Sequence, residues 1–236
     1  MVYPRLPKIP PEKMIKLVGF DWNGTILSDT VACLVADDAA LIALGYKPIS
    51  LKKFRETFEI PLVNFYNKIG VDPKIPKAKF EKSETIFHQT YEARAANSRT
   101  RAGSRDLLKW LKARKIPSVI FSNHIDYQIV KHLKRLKIEN YFDTVLGNAK
   151  TSEVLFKRSK GDKLKDYLSS RRIKPNEILI VGDTVEEIEI ARELGAISVA
   201  ITNGYNSTKR LKSNKPDYLL NDLRKIEGII TNINKI

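Results

Sequence analysis

Residues 15–25 read IKLVGFDWNGT, and this stretch decides the fold class of the chain. A short apolar run stops at an aspartate and a glycine-containing turn, which is the pattern of a buried strand that ends at a polar edge. Similar apolar runs that stop at polar or glycine residues occur at four more places, namely 119–121, 144–146, 177–181 and 197–201. The chain therefore predicts a sheet of short, buried strands.

Helical patterns lie between these predicted strands. Apolar residues recur at helical spacing in four segments, at 104–115, 126–136, 163–169 and 185–194. The alternation of strand and helix over residues 101–220 predicts an α/β fold, with a Rossmann-like, mainly parallel sheet flanked by helices. Ligands of such sheets bind outside the carboxyl ends of the strands, so polar residues at those ends are the candidate site.

Residues 28–100 interrupt this alternation. Helical patterns cover four segments, 29–45, 51–58, 62–69 and 78–97, and no strand pattern accompanies them. Helices inserted directly after the first strand predict a separate domain. We therefore expect a core made of residues 1–27 and 101–236, and a small all-helical cap domain made of residues 28–100.

Composition narrows the class of protein. The chain has 236 residues, of which 42% are hydrophobic, and no apolar stretch approaches the roughly 20 residues that span a bilayer. A net charge of +15 favours an anionic partner and leaves nucleic acid open, although no nucleic-acid-binding motif accompanies the charge. One cysteine, Cys33, fits a reducing compartment, and residues 1–13 lack the apolar centre of a signal peptide. We expect a cytoplasmic protein, monomeric or homodimeric, with no membrane partner.

Four polar clusters lie at or near the ends of the predicted strands. They are Asp21-Trp22-Asn23-Gly24-Thr25, Ser122-Asn123, a lysine group at 157–163, and Gly182-Asp183 followed by Glu186-Glu187. Because the carboxyl ends of parallel strands meet at one edge, we expect the fold to bring these clusters together. Carboxylate oxygens suit Mg²⁺, while lysine, hydroxyl and backbone N–H groups suit phosphate oxygens. The clusters therefore predict a site for a phosphoryl group and a divalent cation.

These four clusters, in this order, resemble the motifs of the haloacid dehalogenase superfamily of hydrolases. The helical insert at 28–100 is similar to the small cap of the phosphoglycolate-phosphatase-like members, and the resemblance spans nearly the whole chain after the proline-rich first residues. It implies a phosphatase that cleaves a small phosphorylated metabolite through an aspartyl-phosphate intermediate, with Mg²⁺ as cofactor.

The resemblance also implies roles for the acidic residues. Asp21 takes the position of the nucleophile that attacks phosphorus. Asp21, the carbonyl of Asn23, and Asp183 take the positions of the Mg²⁺ ligands. Glu187 takes the position of a further acidic residue, which acts on the metal through a bound water or orients Lys160.

Two more motifs imply contacts with the phosphoryl group. Ser122, with Asn123 beside it, takes the position that holds phosphoryl oxygens. A lysine is expected there as well, and Lys157, Lys160 and Lys163 are all candidates. Lys160, which precedes Gly161 and a predicted helix, best fits the pattern of the superfamily.

Asn23 departs from that pattern. Most phosphatases of the superfamily carry a second aspartate at this catalytic position, and asparagine cannot exchange a proton. General acid–base catalysis contributes a rate factor of roughly 10²–10⁴, so four alternatives stay open. The enzyme is a slow phosphatase or one whose substrates have good leaving groups, or it uses another proton carrier, with His124 as a candidate. It is instead a phosphonatase that uses a cap lysine such as Lys52 or Lys53, or a catalytically weakened phosphate-binding protein.

Overall fold

The computed structural model describes residues 14–149 and 160–235. Its centre is a six-stranded parallel sheet with the strand order β3-β2-β1-β4-β5-β6. The strands are β1 Leu17–Phe20, β2 Ser118–Ile125, β3 Thr144–Asn148, β4 Ile178–Gly182, β5 Ile197–Ile201 and β6 Tyr218–Leu220. The predicted α/β fold class is thereby confirmed.

Ten α-helices accompany the sheet in the described ranges. Four of them follow β1 directly: α1 Thr30–Leu44, α2 Leu51–Thr57, α3 Leu62–Lys68 and α4 Lys77–Ala95. The other six are interleaved with the remaining strands: α5 Ser104–Ala113, α6 Asp126–Arg135, α7 Lys160–Arg171, α8 Val185–Leu194, α9 Thr208–Ser213 and α10 Lys225–Asn234. None of the helices in these ranges combines the length and apolar character needed to cross a membrane.

Helices cover both faces of the sheet, which explains why its strands are continuously apolar. Alternate residues of a strand point to opposite faces, so Leu17 packs in one apolar cluster and Val18 in another. Leu17 shares its cluster with Leu164 of α7, and Val18 shares its cluster with Leu107 of α5.

The strand order brings the polar clusters to one edge. Phe20 at the end of β1 pairs with Ile120 of β2 on one side and with Val181 of β4 on the other. The backbone N–H of Asp21 continues this ladder by donating to the Val181 carbonyl at 2.8 Å. The residues that follow β1 and β4, with the last residues of β2 between them and β3, therefore lie at the edge where the strand order reverses, which is where such folds bind ligands.

The four helices α1–α4 form a layer over this edge. Two antiparallel chain segments join the layer to the sheet, because Ser28 N–H donates to the Arg99 carbonyl at 2.9 Å and Arg101 N–H donates to the Ile26 carbonyl at 2.8 Å. Aromatic side chains from α2, α3 and α4 form the interior of the layer, and Tyr205 from the core joins them.

Two parts of the sheet differ from the sequence-based expectation. Strand β2 continues to Ile125, with a register irregularity between Phe121 and Ile125, so Ser122 and Asn123 lie inside an irregular strand and not after it. Strand β6, with the helices α9 and α10, had no predicted counterpart. The apolar patterns of β6 and α9 are short, and contact with β5 supplies the stability that their local sequence lacks. Helix α10 packs against α5 through isoleucines at helical spacing.

Candidate active site

Asp21 lies immediately after β1, with only 5% of its surface exposed. Burial raises the pKa of its carboxyl well above the ordinary value, and the charges of Glu187 and Asp183 add to this effect. The Lys160 ammonium, 3.0 Å from Asp21 Oδ1, opposes the shift. Contact with a cation favours the charged form of a buried carboxyl, which is the form that acts as an oxygen nucleophile.

Lys160 on α7 is the cation of this site. Its Nζ contacts three carboxylates, those of Asp21 at 3.0 Å, Glu186 at 3.2 Å and Glu187. Burial by itself lowers the pKa of Lys160, but the three carboxylates outweigh burial and hold the pKa well above its ordinary value. The side chain therefore carries a fixed positive charge next to Asp21.

The structure distinguishes Lys160 from Lys163. The Nζ of Lys163 donates to the Gly147 carbonyl at 2.6 Å and to the side chain of Asn148, at the end of β3. The third candidate, Lys157, lies outside the described residues. Of the two described candidates, Lys160 is the one in contact with Asp21.

Asp183 follows β4 and is completely buried. Its Oδ1 accepts a hydrogen bond from the Thr25 hydroxyl at 2.8 Å, and its Oδ2 accepts one from the Tyr205 N–H at 2.6 Å. Burial and the charge of Glu187 raise the pKa of Asp183 to about 7. The backbone must approach closely: Gly24 has φ +73°, and a Cβ there would lie 2.3 Å from Asp183 Oδ2.

Glu187 is held by the start of its own helix. Its Oε2 accepts hydrogen bonds from the N–H and the hydroxyl of Thr184, at 2.8 and 2.7 Å, and its Oε1 contacts Lys160. This is a capping box on α8, with an additional contact to the lysine. Both carboxylate oxygens are thus engaged, and the geometry favours Glu187 as a positioning residue for Lys160.

Glu186 is a site residue that sequence reasoning did not select. It lines the same cavity as Asp21 and accepts a hydrogen bond from Asn123 Nδ2 at 2.8 Å. The available signal was the pair of glutamates in the first helical turn, which lie about 100° apart around the helix axis and so face different neighbours. Which of the two glutamates lines the cavity depends on where α7 places Lys160, and the sequence does not show that position.

Ser122 and Asn123 lie beside Asp21 and Lys160 on the cavity wall. The Ser122 hydroxyl is buried and accepts a hydrogen bond from the His124 N–H at 3.1 Å. The irregularity of β2 turns both side chains toward the cavity, where a hydroxyl and an amide can contact an anion.

Asn23 is fixed by a buried network. Its Nδ2 donates to Asp29 Oδ2 and to the Tyr91 hydroxyl, each at 2.7 Å. The hydroxyls of Tyr91 and Tyr205 also donate to Asp29 Oδ2, at 2.6 and 3.0 Å, and Gly24 N–H donates to its other oxygen. Asp29 and Tyr91 were missed because their relation to Asn23 arises only when the helical layer docks on the core.

The donor set fits a divalent cation. Four carboxylates, those of Asp21, Asp183, Glu186 and Glu187, are at least 95% buried in or beside the site, and Lys160 is the cation in direct contact with three of them. Such an excess of buried negative charge calls for further positive charge. No three acidic, histidine or cysteine side chains of the described ranges form a ready metal centre. Mg²⁺ does not require three, because it binds through one or two carboxylates and keeps several waters.

The lysines considered for a phosphonatase do not approach this site. Lys52 and Lys53 are exposed on α2, and neither lines the cavity that contains Asp21. A Schiff base requires a lysine that touches the substrate, so their placement argues against that alternative. His124 does line the cavity, next to Tyr91, with ring centroids 5.4 Å apart.

Comparison with known proteins agrees with this architecture. A family model described as haloacid dehalogenase-like hydrolase matches residues 18–201. A phosphoglycolate phosphatase from Pseudomonas fluorescens is 26% identical over 220 residues, which cover 92% of this chain and 80% of the relative. A phosphoglycolate phosphatase from Vibrio parahaemolyticus is 26% identical over 232 residues, covering 92% of this chain and 96% of the relative.

Solved structures match the fold as well. A haloacid dehalogenase-like hydrolase from Streptococcus pneumoniae superposes with a TM-score of 0.75, covering 91% of this chain and 98% of that one. The two sequences are 23% identical, so this match is informative about the fold alone.

Proposed function

The chain belongs to the haloacid dehalogenase-like hydrolases and is a phosphatase of that family, and we propose that it hydrolyses a small phosphorylated metabolite through an aspartyl-phosphate at Asp21. The observation that carries the proposal is the buried contact between Asp21 and Lys160, at 3.0 Å, on the wall of a cavity that Ser122 also lines. A nucleophile, a fixed cation and a hydroxyl donor then meet the same phosphoryl group.

The first step of the proposed reaction is attack by Asp21. A carboxylate oxygen forms a bond to phosphorus while the bond from phosphorus to the ester oxygen breaks, and the ester oxygen leaves as an anion that takes its proton from solvent. Lys160 and Ser122 bind the non-bridging oxygens, where negative charge is concentrated. In the second step a water oxygen attacks phosphorus and gives a proton to solvent, the bond to Asp21 breaks so that its carboxylate is restored, and inorganic phosphate is released.

Mg²⁺ is the proposed cofactor, with Asp21, the Asn23 carbonyl and Asp183 as its protein ligands. When bound, it neutralises charge on the phosphoryl oxygens and on the two aspartates. Glu187 and Glu186 hold Lys160 in place through their contacts with its Nζ. Thr25 and the Tyr205 N–H orient the Asp183 carboxylate.

Asn23 shapes the expected rate. Its amide donates to Asp29 and Tyr91 and cannot give a proton to the departing alcohol. Esters whose alcohols leave readily need no such proton, so we expect them to be the better substrates. For esters with poor leaving groups, the loss of an acid–base group should lower the rate of hydrolysis by roughly 10²–10⁴-fold.

The proposal is tested by phosphate release from p-nitrophenyl phosphate with Mg²⁺ present. Asp21→Asn should abolish release, whereas Asp166→Asn, which changes an exposed aspartate on α7, should not. Activity that survives in Asp21→Asn would remove the nucleophile from the account.

A phosphate-binding protein without turnover is the second candidate, and Asn23 is the observation that favours it. In that case the wild-type chain would bind inorganic phosphate in calorimetry and release none from any ester. Phosphate release that depends on Asp21 rejects this candidate.

A further inference from the structure

The cavity above Asp21 extends into the helical layer, and its far wall is mainly aromatic. Its volume is about 140 Å³, which gives room for on the order of ten water molecules. Six aromatic side chains line it: Phe58, Tyr66, Phe80, Phe87, Tyr91 and Tyr205. Such a wall favours a planar, apolar group over a small hydrated one.

The charges of that wall are acidic. Asp37 on α1 and Glu84 on α4 line the cavity, and none of the lining residues that α1–α4 contribute is a lysine or an arginine. This is notable in a chain with 42 basic residues. The basic side chains of the helical layer thus lie elsewhere, while two carboxylates face the space where the leaving group must lie.

Asp37 is the more deeply buried of the two acids, with 3% of its surface exposed. Its hydrogen-bond partner is the Cys33 thiol, at 3.7 Å, and no lysine or arginine of residues 14–149 or 160–235 forms a salt bridge with it. Burial raises the pKa of Asp37 to about 8. Glu84, by contrast, lies 3.9 Å from His88.

Burial favours the neutral form of Asp37, and a cation bound in contact with it would favour the carboxylate. A leaving group with a carboxylate, such as glycolate, would find no lysine or arginine among the cavity residues that α1–α4 contribute. An ammonium group on the leaving group would instead form an ion pair with Asp37 while its apolar body contacts the aromatic wall.

We propose that the substrate is the phosphate ester of an aromatic alcohol that carries an ammonium group, and that Asp37 binds this ammonium. The inference rests on the proposed function, because it places the phosphoryl group at Asp21 and Lys160. Asp37 would then select the substrate, and this substrate would differ from the phosphoglycolate that the names of the relatives specify.

Three matched esters test the inference: 4-ethylphenyl, 4-(2-aminoethyl)phenyl and 4-(carboxymethyl)phenyl phosphate. They differ in charge at the far end of the ring, and kcat/KM is measured for each with Mg²⁺. We expect the ammonium ester to exceed the ethyl ester by roughly tenfold or more, as for a hydrogen-bonded charge pair. The carboxylate ester should fall below the ethyl ester.

Asp37→Asn should bring the ammonium ester down to the level of the ethyl ester. Glu81→Gln, which changes an exposed carboxylate outside the cavity, should keep the preference. Equal kcat/KM values for the three esters, or a preference for ammonium that survives Asp37→Asn, would overturn the inference while the phosphatase proposal stands.

Binding of 4-(2-aminoethyl)phenol, measured by calorimetry, gives a readout that needs no turnover. Wild-type protein should bind it at least several-fold more tightly than Asp37→Asn. If no ester is hydrolysed, the proposed function fails, and this titration still decides about Asp37: equal affinity for the two proteins overturns the inference.

Discussion

The side chain of Asn23 lies against the carboxylate of Asp29. Its Nδ2 lies 2.7 Å from Asp29 Oδ2, and Asp29 also accepts hydrogen bonds from Tyr91, Tyr205 and Gly24. An amide can donate to Asp29, whereas an aspartate at position 23 would place two carboxylates in contact inside the protein. The residue at position 23 and the residue at position 29 therefore depend on each other.

This dependence predicts the behaviour of Asn23→Asp. Alone it should destabilise the protein by about 1–3 kcal/mol, since it leaves a charged pair without a donor, and thermal unfolding should shift down by several degrees. The double variant Asn23→Asp/Asp29→Asn restores one donor and one acceptor, so its midpoint should recover. A single variant as stable as wild type would contradict the network.

Lys160 gives a prediction about rate. Lys160→Ala removes the charge in contact with Asp21 and should lower kcat by roughly 10²–10³-fold, as for loss of one preorganised donor to a developing charge. Lys165→Ala, an exposed lysine on the same helix, should leave kcat unchanged. Wild-type kcat in Lys160→Ala would show that the lysine does not act on the phosphoryl group.

Sequence reasoning works for some of these residues and fails for others. Asp21 and Asp183 are predictable as neighbours because each directly follows a buried apolar run, and adjacent parallel strands end at the same edge. Asp29 and Tyr91 are 62 positions apart, and their contact depends on how α4 docks. No local pattern encodes that docking.

Among the elements, α4 has a second contact with the core. Glu92 near its end lies 3.7 Å from His124 Nε2 and 3.8 Å from His132 Nε2. Burial would raise the pKa of Glu92, but the two histidines hold it below its ordinary value. Burial lowers the pKa of His132, with Glu92 opposing and Arg135 and His124 adding to the decrease.

These shifts predict acid sensitivity. A histidine whose folded pKa lies below the unfolded value of about 6.5 binds its proton more readily when unfolded, so the free energy of unfolding decreases as pH falls below about 6.5. Glu92 adds a further loss as pH falls through its lowered folded pKa. His132→Gln should flatten the decrease between pH 7 and pH 5 in chemical denaturation. An unchanged slope in this variant would exclude His132 as the source.

The four helices of the helical layer, α1–α4, were predictable from the spacing of apolar residues, and the predicted segments agree with the structure within a few residues. Four helical patterns without a strand indicated α1–α4, and each has a proline or glycine near one end. Strand β6 and the short α9 offer little local pattern, because their stability comes from packing on β5. Helix α10 carries Ile226, Ile230 and Ile233 at helical spacing, so a signal for it was available in the sequence.

At the scale of the whole molecule, the distribution of charge matters more than its total. A net charge of +15 favours anionic partners in general. The cavity is nevertheless lined by several carboxylates, and the buried Lys160 lies among the ones next to Asp21. The surface can thus attract a phosphorylated compound, while the cavity selects the group attached to the phosphate.

The fold of the whole molecule follows from the apolar runs, but the chemistry depends on contacts between distant segments. Residues of α7 and β4, each well over 100 positions after β1 in the chain, meet Asp21 at the end of β1. Because Asn23 cannot activate the water that attacks the aspartyl-phosphate, breakdown of this intermediate should be slow relative to its formation. The intermediate should therefore accumulate during turnover.

Acid quenching during turnover of an aryl phosphate with Mg²⁺, followed by peptide mass mapping, tests this claim most directly. We expect one phosphoryl group on the peptide that contains Asp21, and none in Asp21→Asn. Continued phosphate release with no phosphorylated peptide, or with the phosphoryl group on a different residue, would contradict the account.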